Sequence, residues 1–542
     1  MNRRRIDMAF GRLLVVVGAV GLVAAASGCS SGGSPTGASG GSGKGGTAGT
    51  GNPTGTAGQP AGGSGGSPDV AAGGGGAAGV GVAGVPGSGG TSGASGAAGI
   101  SGGMSSGGGT PCTPPQVGAG GSTACTPPAP PAAKDSVTLD MAMAQGAPTY
   151  DGSGFIYGIS EDGTQPPTAL LTDIKVKGFR AGRGVSGGCG QAAWDAHWKV
   201  IKAYYAKAKE MGVPLQILVS DNYQYSCPLP GAGGDWTTFT TFMAQLIAEA
   251  QAAGMTGPDV RWELWNEPDY SGFWSGTQAQ WLDTWKHAYE QVRAAIPGAI
   301  IEGPSLASGA GGSWMSAFLD YCKTNNVMPD YITWHVAGGG GDPVGDQSTI
   351  SRGLSSRGIT SVKGFDLNEY GSTGEQNPGH SAWFLARFDR AGIDGMRSNW
   401  AGGSEFFSNM GDLVAANWKP NSQYWIYKRY ADQTGLRTSV TAGTQVDAVS
   451  YQDACAAKSI IVVGNRGGTT GAVNVVIKNI PGWLQSNGST KVLLEKMPTG
   501  TAALSAPTVV SSAAVTATCN ALTVSIDWAT AADGYVVTLT PS

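Results

Sequence analysis

Two short segments of the sequence each contain, near the end, an asparagine followed by a glutamate. The first reads Val-Arg-Trp-Glu-Leu-Trp-Asn-Glu-Pro over Val260–Pro268, and the second reads Gly-Phe-Asp-Leu-Asn-Glu-Tyr over Gly364–Tyr370. The bulky residues of both segments are typical of β-strands, and Pro268 biases the residue before it towards an extended backbone. Each segment therefore predicts a strand that ends in a carboxylate, Glu267 in the first and Glu369 in the second.

A pair of carboxylates at strand ends is what the hydrolysis of a glycosidic bond requires. One carboxyl group protonates the leaving-group oxygen, and the other attacks the anomeric carbon or activates a water molecule. The first group must hold a proton near neutral pH, so burial or a nearby negative charge must raise its pKa. Glu267 and Glu369 are far apart in the sequence, and only the fold can bring them together.

Short apolar strands alternate with amphipathic helices from Lys134 onwards, and these elements must position the two carboxylates. Eight strand candidates occur: Phe155–Ile159, Ile174–Arg180, Leu215–Ser220, Val260–Trp265, Ile300–Gly303, Tyr331–His335, Gly364–Asn368 and Gly395–Asn399. The predicted helices are Ala192–Met211, Trp236–Ala253, Gln278–Ile296, Ser313–Asn325, Thr349–Ser356, His380–Ala391 and Gln423–Gln433. This alternation predicts an α/β fold, a (β/α)₈ TIM barrel, with a doubly wound sheet as the alternative.

The chain divides into four predicted regions. Residues 1–28 have the basic start and apolar run of a signal peptide. Residues 29–133 predict a disordered tether rich in Gly, Ser and Pro, because so few large apolar residues cannot offset chain entropy. Residues 134–434 predict the catalytic barrel. Residues 435–542 contain short β-branched runs between turns and predict a β-sandwich, to which Ser136–Asp140 adds a strand.

The N-terminal region predicts export. Cys29 follows the apolar run Leu13–Ala26 in the sequence Ala-Ser-Gly-Cys, which resembles a bacterial lipobox whose cysteine becomes the lipidated first residue. The apolar run is shorter than the ~20 residues that a membrane span needs. We therefore expect a protein of the bacterial cell envelope that is lipid-anchored to a membrane through Cys29, with ordinary secretion as the alternative.

The eight cysteines fit an exported protein. Among several possible connectivities, Cys112–Cys125, Cys189–Cys227 and Cys455–Cys519 are plausible disulfides, and this set leaves Cys322 as a buried thiol.

The composition favours neither a metal nor a nucleic acid as partner. The sequence has no CxxC or HExxH motif and four scattered histidines, so we predict no metal site and no cofactor. The net charge of −4 provides no electrostatic footprint for nucleic acid.

The segment Trp262–Pro268 resembles the acid/base signature of the clan A glycoside hydrolases. Its Glu-x-Trp-Asn-Glu-Pro run is most similar to family 39, which includes β-xylosidases and carries an appended β-sandwich. The resemblance covers roughly residues 150–540. It implies a retaining mechanism on a β-linked oligo- or polysaccharide, with xylan-type material as the family-based expectation. It also implies that Glu267 is the general acid/base and Glu369 the nucleophile.

The same resemblance implies five substrate-site residues. Asn266 matches the amide that binds the sugar 2-hydroxyl, and Arg180 is similar to an arginine that lies near the nucleophile. His335, Tyr370 and Trp400 occupy positions where the clan places residues that contact the sugar.

Two other classes of protein remain open. A carbohydrate-binding surface lipoprotein without catalysis would keep the aromatic platforms, but one carboxylate would be out of reach of the sugar. A separation near 5 Å between the Glu267 and Glu369 carboxyl groups favours retaining catalysis, and one beyond about 10 Å removes its main support. An esterase would use Ser186, which lies in a GxSxG motif that overlaps a GxGxxG motif, with His335 or His197 within hydrogen-bond reach.

Three further carboxylates near other predicted loops are rivals of Glu369 for the role of nucleophile. These are Glu302, Glu375 and Glu405.

Overall fold

Eight parallel strands form a closed barrel in the computed structural model of the protein, which describes residues 125–182, 188–398 and 409–542. Strand β1 (Asp135–Gln145) precedes the barrel. The barrel strands follow in chain order: β2 Gly154–Ile156, β3 Gly178–Ala181, β4 Leu215–Leu218, β5 Val260–Glu263, β6 Ile300–Leu306, β7 Tyr331–His335, β8 Gly364–Tyr370 and β9 Asp394–Arg397. Strand β9 pairs with β2 and closes the barrel. The predicted TIM barrel is confirmed, and the doubly wound sheet is wrong.

Helices connect the barrel strands. They are α1 Thr168–Asp173, α2 Gln191–Met211, α3 Val219–Tyr223, α4 Thr237–Ala252, α5 Gln278–Ala295, α6 Ser313–Asn325, α7 Pro343–Ser356, α8 Pro378–Ala391 and α9 Ser422–Ala431. Local sequence explains where several begin. The side chains of Asp342 and Asn377 accept hydrogen bonds from the first turns of α7 and α8, and each is followed by a proline at the first helical position.

Tryptophans fill the layer between strands and helices. Trp262, Trp281, Trp285 and Trp334 are almost completely buried in one continuous core. The barrel interior, by contrast, contains polar residues that bond across it. Gln216 on β4 donates to Asp366 on β8, and Arg261 on β5 lies 2.9 Å from Asp394 at the start of β9.

A second group of strands forms one nine-stranded sheet in the order β17-β16-β19-β14-β13-β12-β1-β15-β18. Besides β1 it contains β12 Leu436–Thr441, β13 Val446–Asp453, β14 Lys458–Asn465, β15 Gly471–Lys478, β16 Ser489–Met497, β17 Thr508–Thr516, β18 Leu522–Trp528 and β19 Gly534–Pro541, while β10 Val414–Ala415 and β11 Lys419–Pro420 form a separate pair. Side chains from both halves of the sheet share one apolar core, so the predicted C-terminal β-sandwich is confirmed. Strand β1 pairs with β12 and β15, as expected for Ser136–Asp140.

The sheet packs directly on the barrel. Tyr451 and Val462 belong to the same core as the barrel helices. Arg387 on α8 lies 3.1 Å from Asp447 on β13 and 2.7 Å from Asp342. The Gln433 amide, just beyond α9, donates to the carbonyls of two sheet strands. Buried ion pairs and apolar contacts therefore fix the sheet against α8 and α9.

The disulfides correct two predictions and confirm two. Cys189 bonds Cys227, and Cys322 is a buried free thiol, as expected. Cys125 bonds Cys519, so the pairings Cys112–Cys125 and Cys455–Cys519 are wrong. The reason is tertiary, because the segment after Cys125 runs along the sheet, where the Asn474 amide donates to the Pro131 carbonyl.

Several predictions concern residues outside the described ranges. These are the signal peptide, the lipidated Cys29, most of the tether, Ser186, Trp400 and Glu405. Within the described ranges, no helix combines the length and apolarity that crossing a membrane requires.

Candidate active site

Four buried ionisable side chains meet where barrel strands end. Arg180 lies on β3, Glu267 follows β5, His335 ends β7 and Glu369 lies near the end of β8. Their exposed fractions are 0%, 4%, 1% and 2%, so that solvent barely screens their interactions. These are the carboxyl ends of the strands, where TIM barrels carry their active sites.

The two predicted catalytic carboxylates are close together. One carboxylate oxygen of Glu267, one of Glu369 and one ring nitrogen of His335 all lie within 4.8 Å of one another. Retaining glycosidases separate their carboxyl groups by about 5–5.5 Å, and inverting enzymes by about 6.5–9.5 Å. The spacing therefore suits direct attack by one carboxylate and lies below the range of inverting enzymes.

Arg180 organises the floor of the site. Its guanidinium lies 2.5 and 2.6 Å from the two oxygens of Glu263, 2.6 Å from Glu369 Oε1 and 2.7 Å from Asn266 Oδ1. Glu263 is therefore a buried, hydrogen-bonded barrel residue. Because a buried carboxylate is costly without a partner, the guanidinium stabilises the ionised form of Glu369.

The backbone at Glu267 contradicts the expectation based on Pro268. The φ angle of Glu267 is +44°, in the left-handed region, and is not extended. Neighbouring contacts impose this conformation: the Glu267 N–H donates to the Ser305 carbonyl at 3.0 Å, and the Asp269 carboxylate accepts from the N–H groups of Ala307 and Ser308. Backbone strain of this kind is often found at active sites.

Burial raises the pKa of both carboxyl groups, but their neighbours differ. It raises the pKa of Glu267 to about 8, and the negative charge of Asp269 adds to this although Arg180 opposes it. Burial also raises the pKa of Glu369, although the positive charge of Arg180 opposes this. Desolvation lowers the pKa of His335. Near neutral pH, Glu267 therefore holds a proton, and Glu369 is the better placed of the two to be ionised.

A hydrogen-bonded group beside Glu267 was not predicted from the sequence. Tyr157 and Tyr225 donate to Asp221 at 2.8 and 2.5 Å, and the Ser220 hydroxyl accepts from the Asn266 N–H at 3.0 Å. The negative charge of Asp221 contributes to the raised pKa of Glu267. The sequence did contain a signal, since Ser220 ends the predicted third strand and Asp221 directly follows it.

Tyr370 is not part of this cluster, and its predicted contact with substrate needs correcting. The side chain is fully buried against Phe384 and Phe388 of α8, and its hydroxyl lies 2.5 Å from the Gly152 carbonyl and 2.6 Å from the Tyr427 hydroxyl. Glu369 contacts the site, whereas its neighbour packs behind the strand, as the alternation of side chains along a strand requires.

The described rivals of Glu369 also lie apart from the cluster. Glu302 is buried within the barrel, where its nearest cation is Arg261 at 3.9 Å. The Glu375 carboxylate accepts hydrogen bonds from the Gly340 N–H and from the N–H and hydroxyl of Ser372, and so connects two loops.

The oxygen and nitrogen atoms of Glu267, His335 and Glu369 have spacings that a metal ion could use. The guanidinium of Arg180, 2.6 Å from Glu369, already supplies a positive charge there. The arrangement therefore favours proton transfer and nucleophilic attack over metal binding.

Comparisons with known proteins agree with this geometry. Residues 258–349 match the family described as "Glycosyl hydrolases family 39". A β-xylosidase from Caldicellulosiruptor saccharolyticus is 31% identical over 74 residues, which are 14% of each chain. A 3-O-beta-L-arabinopyranosyl-alpha-L-arabinofuranosidase from Bifidobacterium pseudocatenulatum is 22% identical over 361 residues, 56% of this chain and 35% of the relative. The chain thus spans well under two thirds of the length of either relative.

Solved structures share the fold. The protein N2152 from Neocallimastix frontalis has a TM-score of 0.63 and 24% identity, covering 75% of this chain and all of the other. A monomeric β-xylosidase from Caulobacter crescentus has a TM-score of 0.53 and 14% identity, with 75% and 99% of the chains covered. The family match includes Trp262–Pro268, so the resemblance predicted from that segment is confirmed.

Proposed function

We propose that this chain, whose residues 258–349 match glycosyl hydrolases family 39, is a retaining glycoside hydrolase acting on β-linked oligo- or polysaccharides. The observation that carries the proposal is the spacing of Glu267 and Glu369, within 4.8 Å at the carboxyl ends of two barrel strands. A raised pKa on the first residue and an arginine on the second give them complementary roles.

In the first step the ionised Glu369 attacks the anomeric carbon. A bond forms between its oxygen and that carbon, the glycosidic bond breaks, and Glu267 delivers its proton to the departing oxygen. Arg180 holds the nucleophile in place through the contact at 2.6 Å. The products of this step are a glycosyl ester on Glu369 and a neutral leaving group.

In the second step Glu267 acts as a base. Esterified Glu369 carries no negative charge, so it no longer disfavours a negative charge on Glu267. Glu267 then accepts a proton from water, the water oxygen attacks the anomeric carbon, and the sugar leaves with its configuration retained. Glu369 is released as a carboxylate.

Two further residues bind the sugar in this proposal. The oxygen of Asn266 is held by Arg180 at 2.7 Å, which leaves its amide nitrogen to donate to the 2-hydroxyl. His335 Nε2 is buried and has no hydrogen-bond partner within the described part of the chain, so a sugar hydroxyl would satisfy it. Stacking of the sugar on Trp400 remains a prediction.

A pentose-containing, xylan-type glycan is the proposed substrate. Both curated relatives are named for pentosides, one a β-xylosidase and the other an arabinofuranosidase. The test is hydrolysis of aryl β-xylosides, aryl β-glucosides, aryl α-L-arabinofuranosides and xylo-oligosaccharides by the wild type, Glu267→Gln and Glu375→Gln. Glu375 is a matched control, a carboxylate with backbone hydrogen bonds outside the cluster.

The proposal expects cleavage of xylo-oligosaccharides, whose leaving group needs protonation, by the wild type and by Glu375→Gln, but not by Glu267→Gln. Equal activity of Glu267→Gln on unactivated substrates would contradict it. Binding to immobilised xylan without cleavage by any of the three proteins would favour the carbohydrate-binding lipoprotein instead.

We also propose that the protein is exported and lipid-anchored through Cys29 to the bacterial envelope. The supporting observations are the basic start, the short apolar run and the Ala-Ser-Gly-Cys sequence. In a bacterial host, Cys29→Ser should move the protein from the membrane fraction to the soluble fraction. Retention of the variant on the membrane would exclude the lipid anchor.

A further inference from the structure

A cleft of about 170 Å³ opens between the segment after α3 and the loop after β5, which contains Glu267. Tyr225 and Leu229 line it from the first loop, and Trp265, Phe273 and Trp274 line it from the second. Trp265 and Trp274 are buried, whereas Tyr225 and Phe273 are partly exposed. The cleft therefore has a fixed aromatic floor and two aromatic rings at its mouth.

The rings at the mouth form a continuous surface. The centroids of Tyr225 and Phe273 are 4.8 Å apart, and those of Phe273 and Tyr270 are 5.6 Å apart. Tyr225 also contacts Trp265, with 6.2 Å between centroids. Partly exposed rings offer an apolar face to a ligand, and the C–H face of a sugar ring is a suitable partner.

Both walls of the cleft are held in place before any ligand arrives. The Cys189–Cys227 disulfide and the hydrogen bond from the Tyr223 hydroxyl to the Pro228 carbonyl at 2.6 Å fix the first loop. The indole N–H groups of Trp265 and Trp274 donate to carbonyls of the second loop at 3.3 and 3.0 Å. A preformed cleft spares a ligand the entropic cost of ordering the loops.

The cleft is linked to the proton donor by short contacts. The Tyr225 hydroxyl bonds Asp221 and lies 2.9 Å from the Ser220 hydroxyl, which accepts from the N–H of Asn266. On the other wall, the Tyr270 N–H donates to the Glu267 carbonyl. Since Glu267 delivers its proton to the leaving-group oxygen, whatever is attached to that oxygen must lie on the Glu267 side of the site.

We propose that this cleft binds the leaving-group sugar, with Tyr225 and Phe273 as its platform. The inference rests on the proposed glycosidase function and narrows the substrate to glycans whose leaving group is itself a saccharide. No charged residue is among the described residues that line the cleft. The leaving-group unit is therefore an uncharged sugar, not a uronic acid or a phosphorylated sugar.

The test compares two substrates that share the sugar transferred to Glu369 but differ in the leaving group. Xylobiose has a sugar leaving group, whereas β-xylosyl fluoride has one too small to reach the cleft. Phe273→Ala should lower kcat/KM for xylobiose about tenfold, the order expected for losing one aromatic contact. It should leave kcat/KM for the fluoride within about twofold of the wild type, because the glycosyl half of the site is intact.

Phe365→Ala is the matched control, since it removes the same ring from the opposite end of the barrel, at the start of β8. For this variant, the ratio of kcat/KM for xylobiose to kcat/KM for the fluoride should equal that of the wild type. Phe273→Leu serves as the milder variant if Phe273→Ala does not fold. Tyr225→Phe keeps the platform ring while removing the Asp221 hydrogen bond, and so separates the effect of the ring from that of the hydrogen bond.

The outcomes separate the two proposals. A selective loss on xylobiose supports the leaving-group cleft, and an equal loss on both substrates, or no loss on either, overturns it. If the wild type cleaves neither substrate nor any other glycoside, the glycosidase function itself has failed.

Discussion

The Nδ1 atom of His335 lies 2.8 Å from Oε1 of Glu267, and both side chains are almost fully buried. Burial acts on the two residues in opposite directions, because it disfavours whichever form is charged. It lowers the pKa of His335 and raises that of Glu267 to about 8. At pH 7 the pair therefore consists of a neutral imidazole and a protonated carboxyl group, the state that a general acid requires.

The pH dependence of kcat/KM should be bell-shaped. Activity should fall as the pH rises through about 8, because Glu267 must be protonated to act as an acid. Activity should also fall at acidic pH, because Glu369 must be ionised to attack the anomeric carbon. The pKa of Glu369 is raised above the ordinary value of 4.5, so this fall should begin above pH 4.5. The apparent pKa values of the two limbs belong to Glu267 and Glu369 as a coupled pair. In Glu267→Gln, assayed with an activated aryl glycoside, the alkaline limb should vanish, and its persistence would assign that limb to another group.

Glu369→Ala should abolish turnover, by a factor of about 10³ or more, while the protein remains folded. Added azide should restore part of the activity, because it can enter the space left by the carboxylate. The product should be a glycosyl azide of inverted configuration, identified by NMR. Unchanged turnover, or a rescued product of retained configuration, would remove Glu369 from the role of nucleophile.

Arg180→Met should lower the free energy of unfolding by about 3–5 kcal/mol, because it leaves the buried carboxylates of Glu263 and Glu369 without their shared partner. Urea denaturation at pH 7 measures the effect. Arg352→Met is the control: its guanidinium is exposed and bonds two hydroxyl groups, so we expect a change within about 0.5 kcal/mol. Similar stability of the two variants would show that Arg180 does not compensate these charges.

Glu302 should make stability depend on pH. Its carboxylate oxygens are buried and accept no hydrogen bond from the described residues, and burial raises its pKa well above the ordinary value. The folded protein thus retains a proton that the unfolded chain releases. The stability from this group is complete below the unfolded pKa and is lost as the pH rises through the folded pKa.

Replacing Glu302 by glutamine should therefore make the unfolding free energy decline less between pH 5 and pH 9. The exposed Glu290, which pairs with Lys286 on α5, is the control, and Glu290→Gln should leave the pH profile unchanged. An unaltered profile in Glu302→Gln would mean that Glu302 is charged in the folded protein.

The sequence by itself determined the barrel and the position of the two carboxylates that we propose as its catalytic pair. Local periodicity marks strands and helices, and a carboxylate near the end of a barrel strand lies at the carboxyl-terminal rim, so the positions of Glu267 and Glu369 were predictable. The sandwich followed from an equally local pattern, and Cys189–Cys227 was one of several plausible disulfides.

Only the tertiary structure decided which side chains meet and which turn away. Tyr157 reaches Asp221, beside Glu267, through a contact between separate segments of the chain, which no local pattern encodes. Tyr370 turns away because Phe384 and Phe388 provide an apolar surface behind β8. Glu267 adopts a left-handed backbone because Ser305 and Asp269 bind the loops around it, and Cys125 reaches Cys519 because the segment after it follows the sheet. In each case the deciding interaction joins residues distant in sequence, and its strength depends on a burial that exists only after folding.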